Sequence, residues 1–406
     1  MDLVQGVGEQ QKLGDHNPQP QQSQSRTTIK HVEILDSTLR EGEQFNGANF
    51  TFEHKMQICL SLARFGVEYI EMSSPASYSN AIDELRQLIC ALDGMKSKIL
   101  VHCRCHLADV ELALQSGAYG INLFIGTSSY LKNASHGKSI EQATQTAVDM
   151  VKYVKSQGCQ FVRVGAEDAF RTNLDDLLYM CTALNDVGVD QIDFPDTVGG
   201  ATPFEVYERI RNVSSRSFQF KIEFHGHNDT GCAVANSHAA LEGGALCIDT
   251  SVLGIGERNG ICSLSGFIAR LQSLKPELLT KYDLNELPKL DTLVANILGI
   301  SIPHDMPITS PFAFTHKAGV HIKAMLTDSR AYEIMRPEDF GIERTLNIAT
   351  RITGKHAVAH RAIQLGIITL NNDQLIAIAE QVREEGSLKP ISLDTVDIII
   401  KSFLHN

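Results

Sequence analysis

Two histidines separated by one glycine are the sharpest chemical signal in the sequence. His225 and His227 directly follow a β-branched and aromatic run at 220–224. Positions i and i+2 of a β-strand point to the same face, so both imidazoles can bind one divalent cation. A carboxylate from another strand end would be the third ligand, and Glu41 and Asp36 both fit that role. Two histidines and one carboxylate leave coordination positions open, so the pattern predicts a catalytic rather than a structural metal site.

Other short apolar runs also end in charged or polar side chains. The first run leads into Arg40 and Glu41, and later runs carry His102 and Arg163. Each has a structural interpretation too: Arg40 and Glu41 can form a salt bridge at a rim, and His102 can be a hydrogen-bonded core histidine. Because nearly every run ends in charge, we expect one shared polar site instead. Arg40, His102, Arg104 and Arg163 would form a basic cluster there, which suits an anionic small molecule.

Eight short β-branched runs alternate with longer amphipathic stretches, and these are the elements that must position the polar groups. Being short and flanked by Gly, Asp or Ser, the runs predict buried strands at 32–36, 67–72, 99–103, 120–125, 161–164, 191–194, 220–224 and 246–252. Helical stretches between them include 53–65, 108–115, 139–156, 175–187 and 203–211. Eight βα units favour a closed (β/α)8 TIM barrel, whose chemistry lies at the carboxyl ends of its strands. The alternative is an open doubly wound sheet, but no GxGxxG motif follows the first strand.

The alternation of predicted strands and helices divides the 406-residue chain into three segments. Residues 1–28 are rich in Gln, Pro and Ser over most of their length and predict a disordered tail. Residues 29–275 form the predicted barrel domain. Residues 276–406 show no further βα series and predict a mostly helical C-terminal appendage.

Composition excludes several classes of partner. Thirty-six Lys and Arg residues against 48 Asp and Glu residues give a net charge of −12, which argues against nucleic acid and anionic membranes. No apolar run reaches the 18 residues of a membrane-spanning helix. Nine cysteines without a CxxC pair indicate free thiols in a reducing compartment. With no secretory or transit signal visible, we expect a cytoplasmic protein.

Seven segments resemble the isopropylmalate synthase and homocitrate synthase family, whose members condense an acyl-CoA with a 2-oxo acid. They are DSTLREGEQ at 36–44, FIGTS at 124–128, DTVGGA at 196–201, HGHNDTG at 225–231, LGIGERNG at 253–260, FTHKAGVH at 314–321 and YEIMRPEDF at 332–340. The resemblance covers about residues 30–365. The homocitrate branch is the most similar, because GERN at 256–259 stands where isopropylmalate synthases usually have GERAGN.

The resemblance implies a complete set of roles. One divalent metal (Zn, Mg, Mn or Co) would be bound by Glu41, His225 and His227. The 2-oxo acid would contact Arg40, His102, Arg163 and Thr197. Glu167, His321 and Tyr332 would form the acid/base group, with Arg40 assisting catalysis and acetyl-CoA as co-substrate. In this family the C-terminal segment reaches into the partner's barrel, so a homodimer with His321 and Tyr332 acting across it is implied.

Two stretches depart from the homocitrate pattern. Gly165 and Ala166 stand where that branch carries two serines, one of which helps hold the distal carboxylate of 2-oxoglutarate. Asp193, Phe194 and Pro195 stand where it has small apolar residues. Losing a hydroxyl that bonds a buried carboxylate lowers affinity by about 1–3 kcal/mol. The reacting centre is therefore expected to be intact while the side-chain pocket is altered.

The preferred function is condensation of acetyl-CoA with 2-oxoglutarate to homocitrate, in amino-acid biosynthesis. The first alternative is a divergent enzyme that uses a bulkier 2-oxo acid, of the isopropylmalate type or an aryl pyruvate such as 4-hydroxyphenylpyruvate, to make an unusual amino acid or a secondary metabolite. The second is a lyase or aldolase of the same barrel group, although FTHKAGVH belongs to the condensing branch. The third is a non-enzymatic descendant, which the intact set of polar residues disfavours.

Overall fold

Eight parallel strands close into a barrel in the computed structural model, which describes residues 27–77 and 80–404. The strands are β1 Glu33–Asp36, β2 Tyr69–Met72, β3 Lys98–Arg104, β4 Gly120–Gly126, β5 Phe161–Glu167, β6 Gln191–Asp196, β7 Lys221–Gly226 and β8 Cys247–Thr250. Each pairs with the next along the chain, and β8 closes the ring against β1. The predicted (β/α)8 barrel is confirmed, each predicted run overlaps one strand, and the open-sheet alternative is wrong.

Helices follow the strands and cover the outside of the barrel. They are α1 Phe52–Phe65, α2 Ala81–Ala91, α3 Leu107–Gln115, the single turn α4 Ser129–Leu131, α5 Ile140–Ser156, α6 Leu174–Asp186, α7 Pro203–Ser214, α8 Ala233–Gly243 and α9 Leu264–Leu274. Thr51, Ser139 and Thr202 cap α1, α5 and α7, each accepting a hydrogen bond from the backbone three residues on. Such caps satisfy N–H groups that have no partner inside the helix.

The barrel interior has two layers of different chemistry. The lower layer is a small apolar cluster of one inward side chain from each of five strands, namely Leu35, Tyr69, Leu100, Phe161 and Cys247. Two residues further along, the same faces carry polar groups: Glu71, His102, Arg163 and Asp249. The apolar layer closes the bottom of the barrel, and the polar layer forms the floor of the upper end.

The appendage is mostly helical, as predicted, and it has two parts. Its helices are α10 Leu287–Leu298, α11 Gly319–Thr327, α12 Lys355–Gln364, α13 Asn372–Glu385 and α14 Leu393–Ser402, with a two-residue parallel pair, β9 Thr315–His316 and β10 Thr345–Leu346. Residues of α10, together with Phe314 and Phe340, belong to the main core of the barrel. Ile322 and buried residues of α12, α13 and α14 form a separate core. The main core thus continues past the predicted boundary at residue 276.

The chain ends bear on two further predictions. The predicted disordered tail at 1–28 lies outside the described residues except for Thr27 and Thr28. Thr28 is bound to the barrel, because its hydroxyl donates a hydrogen bond of 2.9 Å to Glu242. Within the described part of the chain, no helix has the length and apolar character needed to cross a bilayer.

Candidate metal centre and substrate cavity

Three predicted metal ligands meet at the carboxyl end of the barrel. Glu41 lies after β1, His225 near the end of β7, and His227 just beyond it. One potential ligand atom from each lies within 4.8 Å of the other two, and all three residues are buried. Two imidazoles and a carboxylate form a donor set that suits a divalent transition metal.

Neighbouring groups orient these ligands. His225 Nδ1 lies 2.7 Å from Asp249 Oδ2, which leaves Nε2 for another partner. Such a carboxylate–histidine contact is the usual support of a metal-bound imidazole. His227 Nδ1 is buried and has no hydrogen-bond partner among the described residues. An unpaired buried nitrogen costs free energy unless it binds something, so the residues fit a metal ion.

A glycine loop holds Glu41 from the other side. The backbone N–H of Glu257 donates a 2.8 Å hydrogen bond to Glu41 Oε1. A β carbon at Gly256 would lie only 2.9 Å from Glu41 Cγ and Oε1, so this position requires glycine for the close approach. The guanidinium of Arg40 donates to the other oxygen, Glu41 Oε2.

Charge states at this centre favour metal binding. Burial is the largest cause that lowers the pKa of both His225 and His227 to about 4, so both imidazoles are neutral near pH 7. Burial acts to raise the pKa of Glu41, but Arg40 and the two histidines outweigh it and hold this pKa at about 2. Neutral imidazoles and an ionised carboxylate are the forms that bind metal.

Asp36, the other carboxylate that the sequence allowed as third ligand, lies elsewhere. Leu35 points into the barrel, so the next residue on the strand points to the opposite face. Asp36 accepts hydrogen bonds from the Thr38 backbone and the Thr250 hydroxyl. Burial raises the pKa of Asp36 to about 7. The geometry selects Glu41.

A cavity of about 250 Å³ adjoins the three ligands. The eight barrel residues to which the resemblance assigns a role all line it: Arg40, Glu41, His102, Arg163, Glu167, Thr197, His225 and His227. Asn122, Phe124, Gly165, Asp193 and Arg258 also line the cavity. Residues from seven of the eight barrel units therefore converge on one space, while the catalytic and binding roles of these residues stay predictions.

Arg40 and Arg163 are not a free basic cluster, which corrects that expectation. Arg40 Nε lies 2.5 Å from Glu71 Oε2, and its other nitrogens face Glu41 and Asp249. Arg104 pairs with Asp109 through bonds of 2.6 and 3.0 Å, and its side chain is 67% exposed. The sequence showed the cations, but it could not show that buried carboxylates from other strands surround two of them.

Arg163 lies at the centre of the most deeply buried charges. Its side chain is 1% exposed, and its Nε donates a 2.6 Å hydrogen bond to Glu223 Oε2. Its terminal nitrogens lie 3.0 Å from Glu71 Oε1 and 3.2 Å from Asp193 Oδ2, and one also bonds Glu223 Oε1. Attraction to these carboxylates raises the pKa of Arg163 well above its usual value although burial opposes it. Arg163 lines the cavity with all three of its side-chain nitrogens engaged by carboxylates.

The other predicted contacts have distinct local settings. His102 stacks on Phe124 at 4.4 Å between ring centroids, and its Nδ1 lies 2.6 Å from Asn122 Nδ2. Burial lowers the pKa of His102, which favours the neutral ring. Thr197 Oγ1 accepts a 3.0 Å hydrogen bond from the Asp168 backbone. The structure therefore combines both interpretations of His102, since the ring is a partly buried, hydrogen-bonded histidine that also lines the cavity.

The predicted acid/base group is divided between two places. Glu167 ends β5 and lines the cavity, and burial followed by the nearby Asp168 raises its pKa. His321 and Tyr332 pack on each other in the appendage, with ring centroids 4.2 Å apart. His321 is exposed, and Tyr332 is 48% exposed. Within one described chain neither ring lines the cavity, so their joint action with Glu167 stays a prediction that requires a second chain.

Sequence reasoning missed four polar residues inside the strands. Asn122, Gln191, Glu223 and Asp249 are fully buried, and each hydrogen-bonds a titratable side chain of the site. A signal was present for one of them, because Glu223 stands two residues before His225 and shares its face. Attention to strand ends alone overlooked these interior positions.

Similarity to known proteins extends over nearly the whole chain. The HMGL-like family model matches residues 31–294, and the homocitrate synthase post-HMGL domain-like model matches residues 308–390. The mitochondrial homocitrate synthase of Saccharomyces cerevisiae is 44% identical over 93% of this chain and 85% of its own length. The cytosolic isozyme of the same yeast is 43% identical over 93% and 87%. Homocitrate synthase of Sulfolobus acidocaldarius is 38% identical over 85% and 74%.

Solved structures agree on the barrel. Hydroxymethylglutaryl-CoA lyase from Pseudomonas aeruginosa superposes with a TM-score of 0.59 at 20% identity, over 74% of this chain and 98% of that one. An HMG-CoA lyase from Bacillus subtilis gives a TM-score of 0.58 at 21% identity, over 68% and 96%. At such identities the likeness shows the fold alone.

Proposed function

The chain belongs to the homocitrate synthase family of HMGL-like proteins, and we propose that it condenses acetyl-CoA with 2-oxoglutarate, releasing homocitrate and CoA. The observation that carries the proposal is the meeting of Glu41, His225 and His227 beside Arg40 at the mouth of the barrel. The family models add the post-barrel segment, which a barrel lyase or aldolase does not need.

A divalent metal fits the three ligands, and when bound it would polarise the ketone of the 2-oxo acid. Glu41, His225 and His227 would hold it, with Asp249 orienting His225. Arg40 lies beside Glu41 and supplies a fixed positive charge near the ketone oxygen, where negative charge develops. The identity of the metal is a matter for elemental analysis, because Zn, Mg, Mn and Co all suit this donor set.

The chain supplies a base for the acetyl group. A methyl proton of acetyl-CoA must be removed so that its carbon can attack the ketone carbon, which forms the new C–C bond. His321, supported by Glu167, would take this proton, and Tyr332 would lie beside it. The ketone oxygen gains a proton to become a hydroxyl. Water then cleaves the thioester, and CoA leaves as the free thiol.

We propose that this group is completed across a homodimer. His321 and Tyr332 lie together on the surface of the appendage, away from the cavity of their own barrel. Apolar side chains around them are also exposed, namely Val320, Leu326 and Ile334. A twofold arrangement would bring each appendage to the other barrel. The curated relatives include mitochondrial and cytosolic proteins, so the cytoplasmic location stays a prediction.

The test is release of free thiol from acetyl-CoA with a panel of 2-oxo acids. We expect release that requires acetyl-CoA, 2-oxoglutarate and a divalent metal together, with homocitrate as the product in mass spectrometry. Cleavage of a 3-hydroxyacyl-CoA without net acetyl transfer would instead establish the lyase alternative.

A further inference from the structure

The inner wall of the cavity contains buried oxygen atoms without partners. Asp193 Oδ1 and Asn122 Oδ1 are both inaccessible and have no hydrogen-bond partner among the described residues, and both residues line the cavity. The amide nitrogen of Asn122 is already used, because it donates to Glu71. What this wall lacks is therefore hydrogen-bond donors. A ligand that donates a hydrogen bond would satisfy it, since leaving a buried acceptor unpaired costs free energy.

The cation on this wall is already occupied. Arg163 faces Glu71, Asp193 and Glu223, and its contact with Asp193 is the longest of these at 3.2 Å. A carboxylate of the substrate can reach Arg163 by displacing the side chain of Asp193. The Asp193 carboxylate would then lose its contact with the arginine. A hydroxyl group needs no such exchange, because Arg163 and Asp193 can stay paired. A substrate side chain that ends in a hydroxyl group and one that ends in a carboxylate can therefore enter the same space, at different costs in free energy.

The space itself is open on the side of Gly165. A β carbon there would lie 3.6 Å from Phe124 Cβ and 3.7 Å from Asp193 Oδ2, which is ordinary contact. Gly165 pairs with Asp193 across β5 and β6, so the missing side chain leaves room directly beside the carboxylate. That room therefore adjoins an oxygen acceptor as well as the apolar side chain of Phe124.

We propose that the enzyme has a second activity: it also condenses acetyl-CoA with 2-oxo acids whose side chain ends in a hydroxyl group, which hydrogen-bonds Asp193. The chemistry is that of the proposed function, on which this inference rests: one C–C bond forms, water cleaves the thioester, and CoA leaves. The hydroxyl takes no part in bond making and selects the substrate.

A hydroxyl suits this position better than a charged group. Burial is the main cause that raises the pKa of Asp193, and neighbouring carboxylates on β7, β8 and β2 (Glu223, Asp249 and Glu71) raise it further against the effect of Arg163. A hydroxyl both donates and accepts, so it pairs with Asp193 whether or not that carboxyl carries a proton. A carboxylate pairs only with the protonated form, and an ammonium group forms an ion pair only with the ionised form.

Matched pairs of substrates isolate the terminal hydroxyl. The short pair is 5-hydroxy-2-oxopentanoate and 2-oxopentanoate, and the bulky pair is 4-hydroxyphenylpyruvate and phenylpyruvate. For each, kcat/KM is measured from thiol release with acetyl-CoA and a divalent metal. We expect the hydroxylated member of at least one pair to be preferred about tenfold to a hundredfold, the range of one hydrogen bond to a charged group.

Variants then assign the preference to Asp193. Asp193→Ala should abolish the hydroxyl preference and raise kcat/KM for 2-oxoglutarate severalfold, because the side of Arg163 that Asp193 occupies becomes open to a substrate carboxylate. Opposite changes for two substrates cannot come from a loss of folding. Asp193→Asn keeps the shape and a hydrogen-bonding group, so it should retain the preference. Asp186→Ala, on the exposed end of α6, is the matched control and should behave as wild type.

Two results would overturn the inference. Equal kcat/KM for both members of both pairs in the wild type would do so, and so would a preference that persists in Asp193→Ala. If thiol release occurs with 2-oxoglutarate in either case, the proposed function stands while this inference fails. Absence of thiol release with every 2-oxo acid would remove the proposed function itself.

Discussion

At the residue scale, Asp36 and Glu41 are two carboxylates five positions apart with different surroundings. Glu41 lies with the two histidines, while Asp36 is on the other face of β1 and is held by Thr38 and Thr250. Strand-end spacing could not choose between them, and only the family resemblance implied Glu41, because the turn that brings Glu41 back over the barrel depends on contacts with Arg40 and Glu257.

Exchanging each carboxylate for its amide tests this assignment. Glu41→Gln should lose most bound metal, since a neutral amide is a much weaker ligand, and activity should fall at least a hundredfold. Asp36→Asn should keep its hydrogen bonds and its metal. Metal per chain is measured by inductively coupled plasma mass spectrometry after dialysis. Equal metal content in the two variants would contradict the assignment.

The buried charges around Arg163 predict a large effect on stability. Glu223→Ala would leave Arg163 with two of its three carboxylates and remove the only one that binds it through two oxygens. Breaking such a buried pair costs about 3–5 kcal/mol in the free energy of unfolding. Asp83→Ala removes an exposed pair with Arg86, whose contact is 3.2 Å, and should change little. Urea unfolding followed by circular dichroism measures both, and similar midpoints would refute the contrast.

At the scale of elements, the loop after β8 helps to position the proposed metal ligand Glu41. Gly256 brings this loop against Glu41, where a β carbon would be too close at 2.9 Å. Gly256→Ala should therefore displace the Glu41 carboxylate and weaken metal binding at least tenfold. Gly165→Ala is the control, because its β carbon fits at 3.6 Å or more from its neighbours. Titration with a fluorescent metal indicator compares them, and unchanged affinity in Gly256→Ala would argue against this role.

Strand positions could be predicted well, and side-chain partners could not. The short β-branched runs and their flanking Gly, Asp or Ser residues locate β1 to β8, and the HxH spacing places His225 and His227 on one face. By contrast, the pairing of Arg163 with Glu71, Asp193 and Glu223 joins four strands. Such contacts depend on the register and closure of the barrel, which local sequence patterns do not encode.

At the scale of the whole molecule, the question is whether His321 of the appendage acts on the barrel of its own chain or on that of a partner chain. His321→Ala should abolish turnover while leaving metal content unchanged, because the residue lies outside the metal cluster. Mixing this variant with Glu41→Gln, after unfolding and refolding together, tests action across a dimer. If His321 acts on the partner's barrel, half of the dimers regain one intact site, and about a quarter of wild-type activity returns. No recovered activity in a mixture shown to contain heterodimers would place the histidine in its own barrel's site.

The acidic chain concentrates buried carboxylates and two arginines at one end of its barrel, beside a preformed set of metal ligands. The central claim is that this end joins an acetyl group to a 2-oxo acid. The most direct measurement is thiol release from acetyl-CoA by the metal-loaded protein, with 2-oxoglutarate and with each component omitted in turn. The account predicts release only when metal, acetyl-CoA and 2-oxo acid are all present, with homocitrate as product. Release that continues without the 2-oxo acid or without the metal, or no release from the complete mixture, would contradict it.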